Sequence, residues 1–158
     1  MNQPLAQLAA KMGLSAPQHE QLRLVFGLAC ARRVQHLLEE EGALSALAVL
    51  GAFVDGGADR SELEQACRQA AAVANGHRGS NSIDGSAHAA VSATYAVANA
   101  LAGRALEAAG YAAYASVYAY GAYAVTDPSA FALEFAWQVE QLTALHGTRS
   151  SAQAWPVA

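Results

Sequence analysis

Four polar side chains recur at helical spacing in the middle of the chain and have the chemistry of a binding site. They are separated by four, three and four positions, and they are His88, Ser92, Tyr95 and Asn99. At about 100° per residue, this spacing places them on one face of a helix. Such a stripe lines a pocket, faces a partner, or meets water and hydrogen-bonds within the protein. His88 alone does not indicate acid–base catalysis, because a general base needs a positioned partner.

A segment rich in glycine, serine and asparagine precedes this stripe and runs from Asn75 to Gly85. It ends where a helix is predicted to begin, so free backbone amides and Arg78 would favour an anion there. Its glycine spacing matches neither the phosphate-binding nor the dinucleotide-binding fingerprint, and a helix cap explains Asp84 better. Binding residues favour loops on rigid scaffolds, so we predict a binding surface where this segment meets the stripe. The predicted binding residues are His77, Arg78, Ser80, Asn81, His88, Ser92, Tyr95 and Asn99.

Tyrosines form a second candidate surface further along the chain. If one helix continues through Gly110, a second stripe consists of Arg104, Glu107, Tyr111, Tyr114 and Tyr118. Tyrosine is enriched at interfaces because it adds contact area at little entropic cost, but these rings would equally fill space between alanine-rich helices. We predict that the chain forms a homodimer through the last helix or through an interface made by Tyr111, Tyr114, Tyr118, Tyr120 and Tyr123.

The sequence carries no signature of catalysis, of a cofactor or of a metal centre. It contains no nucleophile elbow, no HExxH helix and no cysteine–histidine pair of known spacing. His77, Asp84 and His88 supply metal-ligand side chains, but their spacing does not define a complete ligand set. We therefore expect a non-enzymatic protein without a cofactor or a metal.

The charge balance excludes a nucleic-acid partner. The 158 residues carry a net charge of −4, and charged residues make up only 14% of the chain against 54% hydrophobic residues. Lys11 is the only lysine and the arginines are scattered, so no basic patch is formed.

Cys30 and Cys67 are far apart and no export signal is recognisable, which predicts reduced thiols. These features predict a cytoplasmic protein.

Two uncharged runs raise the question of a membrane span. They cover residues 85–103 and 108–126 and consist mainly of alanine, with glycine, serine and tyrosine but little leucine, isoleucine or phenylalanine. Such residues do not strongly favour hydrocarbon, and Arg104 and Glu107 interrupt the join between the runs. We therefore predict no membrane insertion.

Periodicity and cap signals predict an all-α fold, a single compact bundle of six to seven helices with a core rich in alanine and tyrosine. The predicted helices cover residues 4–12, 16–41, 43–54 and 61–75, then two alanine-rich helices that break near Gly110, and a last helix that ends at Gly147. Residues 1–146 would form the one domain, and residues 147–158 a mobile tail.

Three helix beginnings are predicted from capping chemistry. Two are capping boxes, formed by Ser15 with Gln18 and by Ser61 with Glu64. The third is Asp127, which Pro128 follows at the first position of the last helix.

The run from Ala29 to Glu39, ACARRVQHLLE, together with a helix near Leu63 and an alanine-rich stretch with His and Tyr at helical spacing, resembles the Imm5-like immunity proteins of bacteria. The resemblance covers residues 22–145. It implies a small all-α cytosolic protein that neutralises a toxin by binding, without catalytic residues.

Two functions follow from these observations. Neutralisation of a protein toxin predicts an exposed surface rich in tyrosine or acidic residues and no deep cavity. Sequestration of a small molecule, such as an antibiotic in self-resistance, predicts an apolar pocket with a few polar groups. Such a pocket would be lined by His88, Tyr95, Asn99 and tyrosines of the next helix.

Overall fold

Seven α-helices make up most of the described part of the chain. The computed structural model describes residues 1–77 and 86–152, with side chains except those of 86–87, 122–123 and 149–152. The helices are α1 (Gln3–Met12), α2 (Glu20–Arg33), α3 (Glu41–Val54), α4 (Arg60–Gly76), α5 (Ser86–Leu101), α6 (Ala105–Tyr120) and α7 (Ala132–Ala152). Short 3-10 helices occupy Pro17–His19, Gln35–Leu37, Ala122–Thr126 and Pro128–Phe131. These ranges contain no strand, and the predicted all-α bundle is confirmed.

Helix α2 lies at the centre of the bundle and buries two of its faces. Phe26 and Leu22 belong to a cluster that also holds side chains of α1, α5, α6 and α7. Leu24 and Leu28 belong to a second cluster with α3, α4, α5 and α6. A helix buried on two faces has no single apolar stripe, which explains why its sequence pattern is diffuse.

Alanine dominates the buried faces of α5 and α6, which pack most extensively on one another. Small side chains also let α2 approach α5, since a Cβ added to Gly27 would lie 3.1 Å from the Ala100 Cα atom. The core is therefore rich in alanine as predicted. The tyrosines instead lie at its edge, where Tyr111 and Tyr114 are 39% and 44% exposed.

The second predicted helix ends earlier than the sequence indicated. Helix α2 stops at Arg33, and Leu38 is extended and packs against both core clusters. We attribute the early end of the helix to the packing of Leu38 and of the fully buried Val34 into the core. Gly42 does not end a helix but lies in the first turn of α3, where a Cβ would stand 2.7 Å from Val73 Cγ2. The glycine serves the close approach of α3 to α4.

The alanine-rich region breaks at Gly103, not at Gly110. Gly103 has a φ of 74°, in the left-handed region that favours glycine. Its N–H donates to the Ala100 carbonyl, and the Arg104 N–H donates to the Asn99 carbonyl, which is the Schellman pattern of a helix end. Gly110 lacks positive φ and helix α6 passes through it.

The end of the last helix also differs from the prediction. Helix α7 continues through Gly147 to Ala152, because Gly147 does not adopt the positive φ of a helix stop. Residues 153–158 of the predicted tail lie outside the described residues.

Two of the three predicted caps are wrong. The capping box of α4 is formed by Asp59, whose carboxylate accepts the Glu62 N–H at 2.8 Å, while the Glu62 carboxylate accepts the Asp59 N–H at 3.1 Å. Asp59 and Glu62 have the same spacing as Ser61 and Glu64 but begin the helix two residues earlier.

The second wrong prediction is the capping box of Ser15 and Gln18. The N-cap of the 3-10 helix Pro17–His19 is Ala16, which has no side-chain oxygen. Asp127 is an N-cap, since its carboxylate accepts the Ser129 N–H at 3.0 Å, but it caps the 3-10 helix Pro128–Phe131 and not the last helix, which begins at Ala132. The two cysteines are free thiols, and burial raises the pKa of Cys30 to about 12.

Candidate functional site

The polar stripe of α5 and the tyrosine stripe of α6 lie side by side. The His88 ring stacks on Tyr118, and the Tyr95 ring stacks on Tyr111, each with 5.2 Å between ring centroids. Tyr114 lies one turn before Tyr118 on α6, and the centroids of these two rings are 6.2 Å apart. These five residues form what we call the aromatic row.

The turn at Gly103 sets the pairing in the aromatic row. The two members of each stacked pair lie equally far along the chain from Gly103, so both pairs follow one antiparallel register. The same register puts Ser92 level with Tyr114 and Asn99 level with Glu107. The polar stripe of α5, which was predicted to bind a ligand, and the tyrosine stripe of α6, which was predicted to form an interface, therefore lie along the same contact between α5 and α6.

Two polar residues of the stripe already have partners within the protein. The Tyr95 hydroxyl donates to the Asn75 side-chain oxygen at 3.2 Å, which ties α5 to the end of α4. The Asn99 side-chain amide donates to the Tyr95 carbonyl one turn earlier, at 2.8 Å. His88 is exposed, and Ser92 is half-buried. This stripe supports helix packing at least as much as it offers groups to a ligand.

The remaining predicted binding residues are not gathered with the aromatic row. His77 follows α4, and its Nε2 atom lies 3.9 Å from a carboxylate oxygen of Glu40, at the beginning of α3. Arg78, Ser80 and Asn81 lie outside the described residues, as does the side chain of Tyr123. Within the described ranges, no group of three or more His, Cys, Asp or Glu side chains could hold a metal ion.

A cleft of about 630 Å³ lies beside α6, and two members of the predicted tyrosine stripe, Glu107 and Tyr114, are among its lining residues. It opens between the N-terminal helix α1, α6 and the beginning of α7. Its lining residues are Met1, Asn2, Leu5, Ala6, Leu106, Glu107, Gly110, Tyr114, Val125, Pro128, Phe131, Phe135 and Gln138. Tyr114 is the one member of the aromatic row among them.

Aromatic rings form one wall of the cleft. Phe131 contacts Tyr114 edge to face, with centroids 5.2 Å apart, and Phe135 lies 5.4 Å further on. Phe131 and Phe135 are one helical turn apart, and Tyr114 is 44% exposed, so its ring is accessible from solvent.

Two amide side chains supply the polar part of the lining. Gln138 is 1% exposed; its side-chain N–H donates to the Ala109 carbonyl at 2.8 Å, and its oxygen accepts from Asn2 at 3.1 Å. Asn2 also donates to the Phe135 carbonyl and accepts the Leu5 N–H, so it caps α1. These bonds join α1 and α7 to α6 across the inner end of the cleft.

Gly110 and Glu107 face the cleft from α6. A Cβ built on Gly110 would meet no atom within 4 Å, so the cleft is open directly above this glycine. Glu107 is the one carboxylate in the lining, it is exposed, and it makes no ion pair or hydrogen bond with the described residues.

A smaller hollow of about 430 Å³ adjoins the cleft and shares Ala6, Leu106 and Glu107 with it. Arg23 and Arg104 line this hollow. The Arg23 guanidinium donates to the Leu14 and Ala16 carbonyls at 2.7 and 2.8 Å, so it fastens the turn after α1.

The sequence contains one signal of the cleft, namely Gly110, which the sequence analysis takes as a break between two helices. Gly110 interrupts a run of strong helix formers, and a glycine there indicates either a break or a missing side chain in a continuous helix. We chose the break. Asn2 and Gln138 gave no signal, because their contact joins residues at opposite ends of the chain.

Comparisons with protein-family models, with curated proteins and with solved structures find no match to this chain. The resemblance to Imm5-like immunity proteins therefore stays a prediction. None of the described helices has both the length and the apolarity that a bilayer crossing requires.

Proposed function

We propose that this protein binds and sequesters a small, largely apolar molecule in the cleft between α1, α6 and α7. The observation that carries the proposal is the cleft itself. Its volume of about 630 Å³ falls within the range of about 300–1,000 Å³ that small-molecule sites occupy. Its lining combines aromatic walls with a few polar groups, as such sites do.

Gly110 supports this proposal independently of the volume. Glycine within a helix costs about 1 kcal/mol relative to alanine, and no neighbour in the protein would obstruct a methyl group there. Packing within the chain therefore does not account for the glycine. A ligand that lies against α6 accounts for the glycine, because a side chain at position 110 would occupy the space of the ligand.

Binding without catalysis fits the lining of the cleft. Glu107 is its one carboxylate, and no hydrogen bond or ion pair joins it to another acid or base among the described residues. A cytoplasmic location, inferred from composition, belongs to the same proposal.

The test is a titration with Nile red, a neutral fluorescent dye that prefers apolar sites. We expect saturable binding, weakened about tenfold, or about 1.4 kcal/mol, in Gly110→Leu because the leucine fills the cleft. The matched control is Gly147→Leu, since Gly147 is also helical, has open space around its Cβ and does not line the cleft.

Circular dichroism melting on the same variants separates binding from folding, and leucine at either position favours the helix. Equal dye affinity in the original protein and in folded Gly110→Leu would refute the proposal. Gly110→Ala, with a smaller group, provides a graded second variant and should weaken binding less.

Neutralisation of a protein toxin is the second candidate function. It is supported by the exposure of Tyr111, Tyr114 and Tyr120, which are 39%, 44% and 79% accessible along one helix. The same rings support the homodimer as a proposal, because exposed tyrosines are typical of protein interfaces. A cleft that binds no apolar probe would favour this alternative.

A further inference from the structure

We infer that the ligand of the cleft is an organic cation with a flat aromatic body, such as a protonated polycyclic amine. This inference rests on the proposed function and adds the charge, shape and length of the molecule. It follows from three features of α6 that share one face, namely a carboxylate, a gap and an aromatic ring.

The three features follow one another along α6. Glu107, Gly110 and Tyr114 are spaced by three and four residues, which places them on the same side of the helix. Glu107 and Tyr114 are seven positions apart, which is a rise of about 10 Å along the helix axis at 1.5 Å per residue. That length matches a body of three fused rings, with Gly110 leaving room at its middle.

The aromatic wall favours a flat ligand and tolerates a positive charge. Tyr114, Phe131 and Phe135 present rings that are tilted or perpendicular to one another, so a planar molecule can meet both faces and edges. Ring faces also attract cations, because the face of an aromatic ring is electron-rich. Anions gain nothing from these faces.

Glu107 decides the sign of the charge. Its carboxylate is exposed at the cleft and is not neutralised by any ion pair with the described residues, although the Met1 amino group and Arg104 belong to the same region. The net charge of −4 adds a weak general attraction for cations.

A structural role of Glu107 in helix α6 must be distinguished from its role in binding a cationic ligand. The residue lies in the first turn of α6, where a carboxylate also stabilises the helix through its dipole. Glu41 lies in the first turn of α3, is exposed as well and does not line the cleft. Glu41→Gln is therefore a matched control for Glu107→Gln, with the same loss of charge and a similar effect on the helix.

The experiment compares three anthracene compounds of one shape by their own fluorescence. They are 9-anthracenemethylamine, a cation at neutral pH, the neutral 9-anthracenemethanol, and the anionic 9-anthracenecarboxylate. We expect the amine to bind about fivefold to tenfold more tightly than the alcohol. Glu107→Gln should remove most of this preference and Glu41→Gln should keep it. In the original protein the preference should fall as salt rises, because the carboxylate is exposed.

Three results would overturn the inference. The alcohol or the carboxylate could bind as tightly as the amine, the preference could survive in folded Glu107→Gln, or none of the three compounds could bind while Nile red does. The last result would leave the proposed function standing with another class of ligand. Nile red affinity that Gly110→Leu leaves unchanged would instead refute the proposed function itself.

Discussion

The two flanks of helix α6 use small residues to opposite ends. Toward α5, buried alanines let two helices pack closely, and stacked rings such as Tyr95 on Tyr111 cover the contact. Toward α1 and α7, Gly110 faces an open cleft beside the Tyr114 ring. A small side chain therefore does not by itself produce close packing. It permits either contact or space, and the position of the neighbouring helix decides which.

The largest expected difference between a closed and an open region comes from a pair of phenylalanines. Phe26 is fully buried, so Phe26→Ala should lower the free energy of unfolding by about 3–5 kcal/mol through lost burial and a cavity. Phe135 is half-buried at the cleft, so Phe135→Ala should cost about 1 kcal/mol. Urea denaturation followed by circular dichroism measures both.

Thiol labelling provides a local check on the same pair. Cys30 lies one turn after Phe26 and its pKa is raised to about 12, so it should react slowly at neutral pH. In a Cys67→Ser background, Phe26→Ala should speed its labelling and Phe135→Ala should not. Equal losses of stability for the two alanine variants would contradict the distinction between the regions.

A pair of glycines should respond with opposite signs. Gly110→Ala gains helix propensity in open space, so it should stabilise the protein by about 0.5–1 kcal/mol. That gain corresponds to a rise in Tm of about 1–4 °C. Gly27→Ala forces a methyl group to 3.1 Å from the Ala100 Cα atom, and overpacking of about 1–3 kcal/mol should exceed the same gain.

Melting curves for the two glycine variants decide this prediction. A higher Tm in Gly27→Ala would mean that α2 and α5 separate easily, and that the contact between them is not a constraint on the sequence. A lower Tm in Gly110→Ala would mean that the space beside α6 is not free.

The smallest expected effect tests the aromatic row. A double-mutant cycle of Tyr95→Leu and Tyr111→Leu should give a coupling free energy of about 0.5–1.5 kcal/mol, because the two rings stack at 5.2 Å. The control cycle joins Tyr95→Leu with Tyr120→Leu. Tyr120 is 79% exposed and has no ring contact with Tyr95, so these two effects should add within about 0.5 kcal/mol. Coupling of equal size in both cycles would count against the stack.

The positions of the helices were largely predictable, and their ends were not. Alanine content and helical periodicity mark α3 and α4 to within two residues and mark the alanine-rich region as helical, but its break lies at Gly103 and not near Gly110. The helix ends depend on which of several similar signals is used. Asp59 and Ser61 both offer a cap three residues before a glutamate, and Gly103 and Gly110 both offer a glycine in the same alanine-rich region.

The aromatic row was predictable in its members but not in its pairing. Helical spacing correctly groups His88 with Tyr95, and Tyr111 with Tyr118, on one face each. Their stacking depends on the register of α5 against α6, which the turn at Gly103 sets. With the break misplaced at Gly110, the two faces could not be aligned.

The sequence by itself determined the fold class, the helix-forming segments and the alanine-rich core, because these follow from local propensity and from periodicity along one chain. Only the tertiary structure decided where space remains. The cleft lies where Asn2 and Gln138, which are distant in sequence, join α1 and α7 to the Ala109 carbonyl of α6. A cavity is defined by what several elements leave unfilled, and no single segment carries that information.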